Sequence, residues 1–126
     1  NDYMVDHTAV SELVFKASFS ATVPHYEPEL GAPVKLTPIY YCDNYCLLSC
    51  EPSEYVDIST VLEKKLEMLS FHESQVKWLY EHDDIDVLDD TRTMARMRGI
   101  QCDRKYAEGF RACSTAHRNT ADRLLP

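Results

Sequence analysis

Glycine is scarce in this sequence, and several motifs that are diagnostic of a function are missing. Only three glycines occur in 126 residues, and none lies in a glycine-rich loop of the kind that cradles phosphate groups. No apolar run approaches the roughly 18 residues needed to cross a membrane. No two cysteines have the CxxC spacing that is common in structural zinc sites. We therefore expect no phosphate-binding loop, no transmembrane segment and no zinc ribbon.

Basic residues are also few, since 13 lysines and arginines face 21 aspartates and glutamates, which gives a net charge of −8. A chain this acidic repels nucleic-acid phosphates and anionic lipid surfaces, so we expect no nucleic-acid partner. The five cysteines are an odd number with irregular spacing, which favours free thiols over a disulfide framework. Free thiols are typical of reducing compartments, and the sequence therefore predicts a cytoplasmic protein.

Hydrophobic residues make up 44% of the chain, and their spacing predicts a mixture of helices and strands. In chain order, the predicted elements are a helix at 6–19, a long loop at 20–37, a strand at 39–42, a strand at 55–58, a helix at about 60–80, a helix at 85–98, an ambiguous helix or strand at 106–112, and a loose polar tail at 114–126. This order suits an α/β layer protein. Two or three strands cannot form a sheet that is buried on both faces, so we expect an incomplete portion of a larger domain.

Capping signals set the predicted helix ends. Asp6 or Thr8 is expected to cap the first helix. Ser59-Thr60 precedes Glu63 in a capping-box pattern, which predicts the start of the 60–80 helix. Gly99 follows the last helical segment, where a glycine favours a C-cap.

The segment DYMVDH at residues 2–7 is the first motif that could carry chemistry. A histidine at a helix start can present a ring nitrogen to a metal ion while a neighbouring carboxylate orients the ring. On spacing alone, a pair such as Asp6-His7 is more often an exposed polar pair than part of a ligand set.

Other candidate residues also have an ordinary interpretation beside the functional one. His72 falls on the apolar stripe of the predicted 60–80 helix, where it either lines a pocket or is a hydrogen-bonded histidine at the edge of the core. Arg96 and Arg98, near a helix end, either hold an anionic group or pair with carboxylates and solvent. Ordinary thiols are the interpretation favoured for the cysteines spaced by four positions, Cys42, Cys46 and Cys50.

Three groups of residues occur in an order that resembles one enzyme family. They are NDYMVDHTAV at 1–10, then YVDI, KKLEML and HESQ between 55 and 75, and finally RG and YAEGF between 98 and 110. The PIG-L/LmbE family of zinc-dependent N-acetylglucosaminyl deacetylases usually has NDYHPDHxxV, DIxKxxAxxxHxSQ and RG…YAE(A/G)F in the same order. The similarity runs from residue 1 to about 112, so the chain resembles the C-terminal part of a single domain of such an enzyme.

The resemblance implies a Rossmann-like three-layer α/β fold and a zinc-dependent hydrolase that removes acetyl groups from N-acetylglucosamine-containing substrates. It implies that His7 is a zinc ligand and that Asp6 is a carboxylate beside the zinc site. It makes His72 and Glu108 candidates for the substrate pocket. It also favours a final strand at 106–112.

The sequence departs from the family in two respects. It has no HPDD motif, which in the family supplies two zinc ligands and the general base, so no catalytic residue is placed here. Met4 stands where the family has a histidine that assists the oxyanion. We therefore expect the chain alone to be inactive and to bind zinc weakly. The alternative is a non-catalytic carbohydrate-binding or structural module. Apolar surface left exposed by the missing strands is expected to promote association, so a homo-oligomer is a further expectation.

Overall fold

The structure, a computed structural model that describes residues 2–126, combines helices with a small sheet and so confirms the α/β class. The helices and strands are α1 (Val5–Ser20), β1 (Tyr40–Cys42), β2 (Glu54–Asp57), α2 (Leu62–Ser70), α3 (Glu73–Asp83), α4 (Val87–Gln101) and β3 (Ala107–Ala112). Short 3-10 turns occur at Pro28–Leu30 and Tyr45–Leu47. None of the helices in the described part of the chain is long and apolar enough to cross a membrane.

The strands form a three-stranded sheet in the order β1-β3-β2. β1 runs antiparallel to β3, and their register places Tyr41 opposite Arg111. The ambiguous segment at 106–112 is thus a strand, as the family resemblance implied. A sheet with three described strands and an antiparallel pair is smaller than the covered sheet expected of a Rossmann-like three-layer fold.

Contacts between Cα atoms divide the chain into two compact units. The first unit takes in the chain up to Ser53 together with Phe110–Leu124, and the second takes in Glu54–Gly109 together with Leu125–Pro126. The second unit has a hydrophobic core whose buried members are Ile58, Leu62, Leu66 and Ala95. Partly buried Val56 and Tyr106 pack against that core.

The single helix predicted at about 60–80 is wrong, because the chain breaks between α2 and α3. His72 has φ −82° and ψ 54°, and its carbonyl accepts hydrogen bonds from the backbone N–H groups of Gln75 and Val76 at the start of α3. No glycine or proline marks the break in the sequence. On either side of this break, α2 and α3 each contact α4.

The predicted N-cap of the 60–80 helix is also wrong. Val61, not Ser59 or Thr60, is the N-cap of α2, and it makes no side-chain capping bond. Ser59 Oγ instead accepts a hydrogen bond from the Tyr106 backbone N–H at 3.1 Å and lies 3.3 Å from the Tyr106 carbonyl. This hydroxyl links two distant segments of the second unit, and such a long-range bond leaves no local trace in sequence.

Gly99 is not a C-cap, because α4 continues to Gln101. The chain turns back immediately after α4, and the Arg104 N–H donates to the Gly99 carbonyl at 2.8 Å. A Cβ at Gly99 would lie 2.7 Å from the Arg104 carbonyl oxygen and 2.8 Å from that of Lys105. Glycine is required here by close backbone approach.

The tail after β3, predicted to be loose, has no helix or strand, but it buries Arg118. This side chain is 4% exposed within the first unit. Its guanidinium donates to the Thr37 carbonyl and to Ser18 Oγ, both at 2.8 Å, and lies 5.1 Å from the Phe15 ring centre. Arg118 therefore anchors the tail to α1 and to the residues that precede β1.

Candidate functional site

The segment before α1 holds His7 in a defined position. α1 begins at Val5, and its N-cap Met4 makes no side-chain capping bond, so the predicted caps Asp6 and Thr8 are wrong. Asp2 orders the chain just before the helix, since its Oδ1 accepts the Met4 backbone N–H at 3.0 Å. The second oxygen, Oδ2, lies 2.8 Å from His7 Nδ1. One carboxylate thus orders the chain before the helix and orients the histidine ring.

The two groups shift each other's titration. The pKa of Asp2 is lowered by the hydrogen bond from the Met4 N–H and then by the bond to His7. The pKa of His7 is raised mainly by the hydrogen bond to Asp2, with smaller contributions from the negative charges of Asp2 and Asp6. Because Nδ1 faces the carboxylate, Nε2 is the ring nitrogen that remains for another partner.

His7 lines a cleft of about 630 Å³ within the first unit, which we call the His7 cleft. One wall is the first part of α1, including Asp6. The other is β1 and the turn that follows it, with Arg111 of β3. Neighbours in the turn include Asp43, Asn44, Ser49 and Cys50. The cleft therefore has acidic groups near the start of α1 and an arginine on the sheet.

Tyr41 anchors the sheet wall of the cleft. Its hydroxyl donates to Cys113 Sγ at 3.8 Å, and its ring lies 5.8 Å from the guanidinium carbon of Arg111. The pKa of Tyr41 is raised by burial and then by the hydrogen bond to Cys113, while the charges of Arg118 and Arg111 act in the opposite direction. The phenol consequently stays protonated over the neutral range.

The His7 arrangement fits one ligand of a zinc site. A metal-bound histidine typically gives its other ring nitrogen to a carboxylate, and Asp2 occupies that position. Within residues 2–126 no cluster of three or more His, Cys, Asp or Glu side chains could hold a metal ion. The three cysteines spaced by four positions are not joined in disulfides. One histidine falls short of the four ligands that zinc prefers.

The other predicted site residues lie at different places. Asp6 lines the His7 cleft and acts on His7 through its charge, whereas Asp2 makes the contact. His72 is exposed at the junction of α2 and α3 and is not on a helical stripe. Glu108 pairs with Lys65 in the second unit.

Sequence reasoning missed three contributors to the cleft. Asp2 was part of the DYMVDH motif but was not singled out, although its distance of five positions from His7 suits a carboxylate that reaches across the first turn. Tyr41 and Arg111 are 70 positions apart by number, and only the pairing of β1 with β3 brings them together. No local pattern could have signalled that pair.

Comparison with known proteins shows a fold likeness. The sequence matches no family model and no curated protein. The fold of this chain is similar to the solved structure of GalB, the 4-carboxy-2-hydroxymuconate hydratase from Pseudomonas putida KT2440. The TM-score is 0.73 at 21% sequence identity, over 98% of this chain and 51% of that chain. The chain thus has the fold of about half the length of that hydratase.

Proposed function

We propose that this chain is the C-terminal portion of a zinc-dependent enzyme that adds water to an unsaturated carboxylic acid. The observation that carries the proposal is His7, held by Asp2 at 2.8 Å and presenting Nε2 in the His7 cleft. In this proposal the chain is one part of a Rossmann-like three-layer domain in the cytoplasm, and the remaining zinc ligands and the general base belong to the other part.

The side chains described above have separate tasks in such an enzyme. Asp2 fixes the orientation of the His7 ring and keeps Nδ1 occupied, so that Nε2 is directed to the metal ion. When bound, zinc lowers the pKa of water and polarises an oxygen of the substrate. The hydrogen bond to Asp2, with smaller contributions from the charges of Asp2 and Asp6, raises the pKa of His7 and makes its ring a more basic ligand.

Hydration is favoured over amide hydrolysis by two observations. GalB, the protein with a similar fold, is a hydratase, and the similarity covers 98% of this chain. Met4 stands where the deacetylases have a histidine that assists the oxyanion, and a thioether cannot donate a hydrogen bond. Addition of water to a double bond conjugated with a carboxylate has no tetrahedral amide intermediate, and the negative charge that it develops lies instead on the carboxylate of the substrate.

The test is an activity and zinc measurement on the protein that contains this chain together with the rest of the domain. We expect stoichiometric zinc and loss of the ultraviolet absorbance of a conjugated dicarboxylate as water adds. His7→Ala should abolish both, and Asp2→Asn should weaken zinc binding about 10–100-fold, the range for a carboxylate behind a histidine ligand. His72→Ala, which alters an exposed histidine of the second unit, is the matched control and should change neither.

Zinc binding by the 126-residue chain alone is a separate check. With one histidine ligand, it should bind zinc weakly, because zinc prefers a four-coordinate site. Tight stoichiometric zinc on this chain alone would contradict the proposal that the other ligands lie elsewhere.

Removal of an acetyl group from N-acetylglucosamine-containing substrates is the second candidate function. The ordered resemblance of three motifs to the PIG-L/LmbE deacetylases supports it. Release of acetate from an N-acetylated sugar, without hydration of a conjugated acid, would favour this function. Sugar binding that persists in a chelator, with neither reaction, would favour a non-catalytic carbohydrate-binding or structural module. Association into a homo-oligomer is compatible with each of these.

A further inference from the structure

Arg111 differs from the other arginines of the chain in its surroundings. Oxygen atoms of the protein accept hydrogen bonds from the side chains of five others, which are Arg92, Arg96, Arg98, Arg104 and Arg118. Within residues 2–126 the guanidinium of Arg111 makes no hydrogen bond and no ion pair, and its one side-chain contact of this kind is with the ring of Tyr41. Its N–H groups are therefore available to a ligand.

The sheet register fixes where this guanidinium lies. Arg111 and Tyr41 are directly opposite each other on β3 and β1, so their side chains project from the same face of the sheet. The Tyr41 hydroxyl is engaged by Cys113, which holds the ring in place under the guanidinium. A guanidinium that rests on an aromatic face loses less freedom when it binds an anion than one that moves freely in solvent.

Charged side chains of both signs line the His7 cleft. The acidic ones are Asp2, Asp6, Glu12 and Asp43, and Arg111 contributes a guanidinium. An anionic group of a substrate is therefore attracted to Arg111 and repelled by the carboxylates, which favours one position for it in the cleft.

We propose that Arg111, supported by the ring of Tyr41, binds a carboxylate of the substrate and orients it in the His7 cleft. The inference rests on the proposed hydratase function for the identity of the substrate as an unsaturated carboxylic acid. The planar guanidinium presents two parallel N–H donors, which match the two oxygens of a carboxylate. Arg111 is thus a substrate-binding residue that selects acids over neutral analogues.

The test measures ligand binding to the 126-residue chain without metal, by isothermal titration or chemical-shift perturbation. The probes are fumarate, its neutral diamide and inorganic phosphate. We expect fumarate to bind and the diamide not to bind. Arg111→Met should weaken fumarate binding about tenfold or more, and Arg111→Lys, which keeps the charge but loses the planar donor pair, by a smaller factor of about three. Arg104→Met, at an arginine of the second unit, is the control and should leave fumarate binding unchanged.

The outcomes separate this inference from the proposed function. Fumarate binding that is equal in the native chain and in Arg111→Met, or phosphate binding as tight as that of fumarate, overturns the carboxylate site while hydration by the zinc enzyme can still be measured. Arg111-dependent fumarate binding in a protein that hydrates no conjugated acid supports the site and refutes the hydratase. If Arg111→Met fails to fold, Arg111→Lys decides between these outcomes.

Discussion

In the second unit, α2 buries Leu62 and Leu66 to 2% and 7% exposure, whereas α1 of the first unit is longer and has no buried residue. Apolar side chains on α1 remain in solvent, with Leu13 64% and Val10 60% exposed. Buried apolar area is the main source of folding free energy. The second unit therefore supplies most of the hydrophobic stability. The side chains of the candidate functional site belong to the first unit, which is less well packed.

Replacing Leu62 with alanine is the strongest way to test this contrast. Leu62 lies in the core of the second unit, so we expect the free energy of unfolding to fall by about 2–5 kcal/mol. Leu13→Ala, at an exposed position of α1, should change it by less than about 0.5 kcal/mol. Urea unfolding of the two variants measures the difference. Equal losses would mean that α1 is packed in solution and that the contrast is wrong.

Substitution at Gly99 probes the second unit through its backbone. The methyl group of Gly99→Ala would meet the carbonyl oxygens of Arg104 and Lys105 at less than 3 Å, so the turn after α4 must shift. We expect a loss of about 1–3 kcal/mol in the free energy of unfolding. Met97→Ala, on the exposed side of the same helix, serves as the control and should cost far less. A Gly99→Ala variant as stable as the native chain would show that this turn yields easily.

The stability of the first unit is expected to depend on the hydrogen bonds of the buried Arg118 side chain. Arg118→Met keeps most of the buried volume but removes the hydrogen bonds to the Thr37 carbonyl and Ser18 Oγ. Loss of these bonds should lower the free energy of unfolding by about 1–2 kcal/mol and increase amide exchange in the tail. Hydrogen exchange measured by NMR reports both effects. Unchanged exchange after the substitution would mean that the tail is held by other contacts.

The smallest expected effect on stability comes from the interaction between Asp2 and His7. Since the folded-state pKa of His7 is raised above 6.5, its interaction with Asp2 stabilises the protein below that pH and the contribution is lost as the pH rises through the folded pKa. The lowered pKa of Asp2 limits the same contribution on the acid side, where it is lost as the pH falls through the folded pKa of Asp2.

Titration of the His7 ring by NMR checks this prediction directly. The native chain should titrate with a midpoint above 6.5, and Asp2→Asn should move the midpoint down, since it removes the main cause of the shift. The stability difference between the two proteins should be larger near pH 5.5 than near pH 9. His82 is the internal control, because its ring faces Asp83 and not Asp2. A midpoint that Asp2→Asn leaves unchanged would contradict the structure of this turn.

Much of the local structure could be predicted from the sequence. The positions of α1, β1 and β2 agree with the predicted elements to within a few residues, because apolar spacing and turn residues act over short distances. The long loop at 20–37 is confirmed apart from the 3-10 turn at Pro28–Leu30. The break at His72 was not predictable, because it depends on how α2 and α3 each pack against α4.

The candidate site was predicted only in part. The motif at residues 2–7 directed attention to His7, but the structure assigns the orienting contact to Asp2, and the distances that decide between Asp2 and Asp6 depend on the conformation before α1. Glu108 looked available in sequence, yet a lysine from α2 neutralises it. Such pairings join residues that are far apart in the chain.

The sequence by itself determined the acidic character of the protein, its α/β class, its free thiols and the histidine at the start of α1, since these follow from composition and from patterns a few residues long. Tertiary structure alone decided that Gly99 serves a close backbone approach, that Arg118 anchors the tail and that Arg111 lies over Tyr41. The physical reason is that strand register and helix packing are set by burial summed over the whole fold, which no short segment encodes.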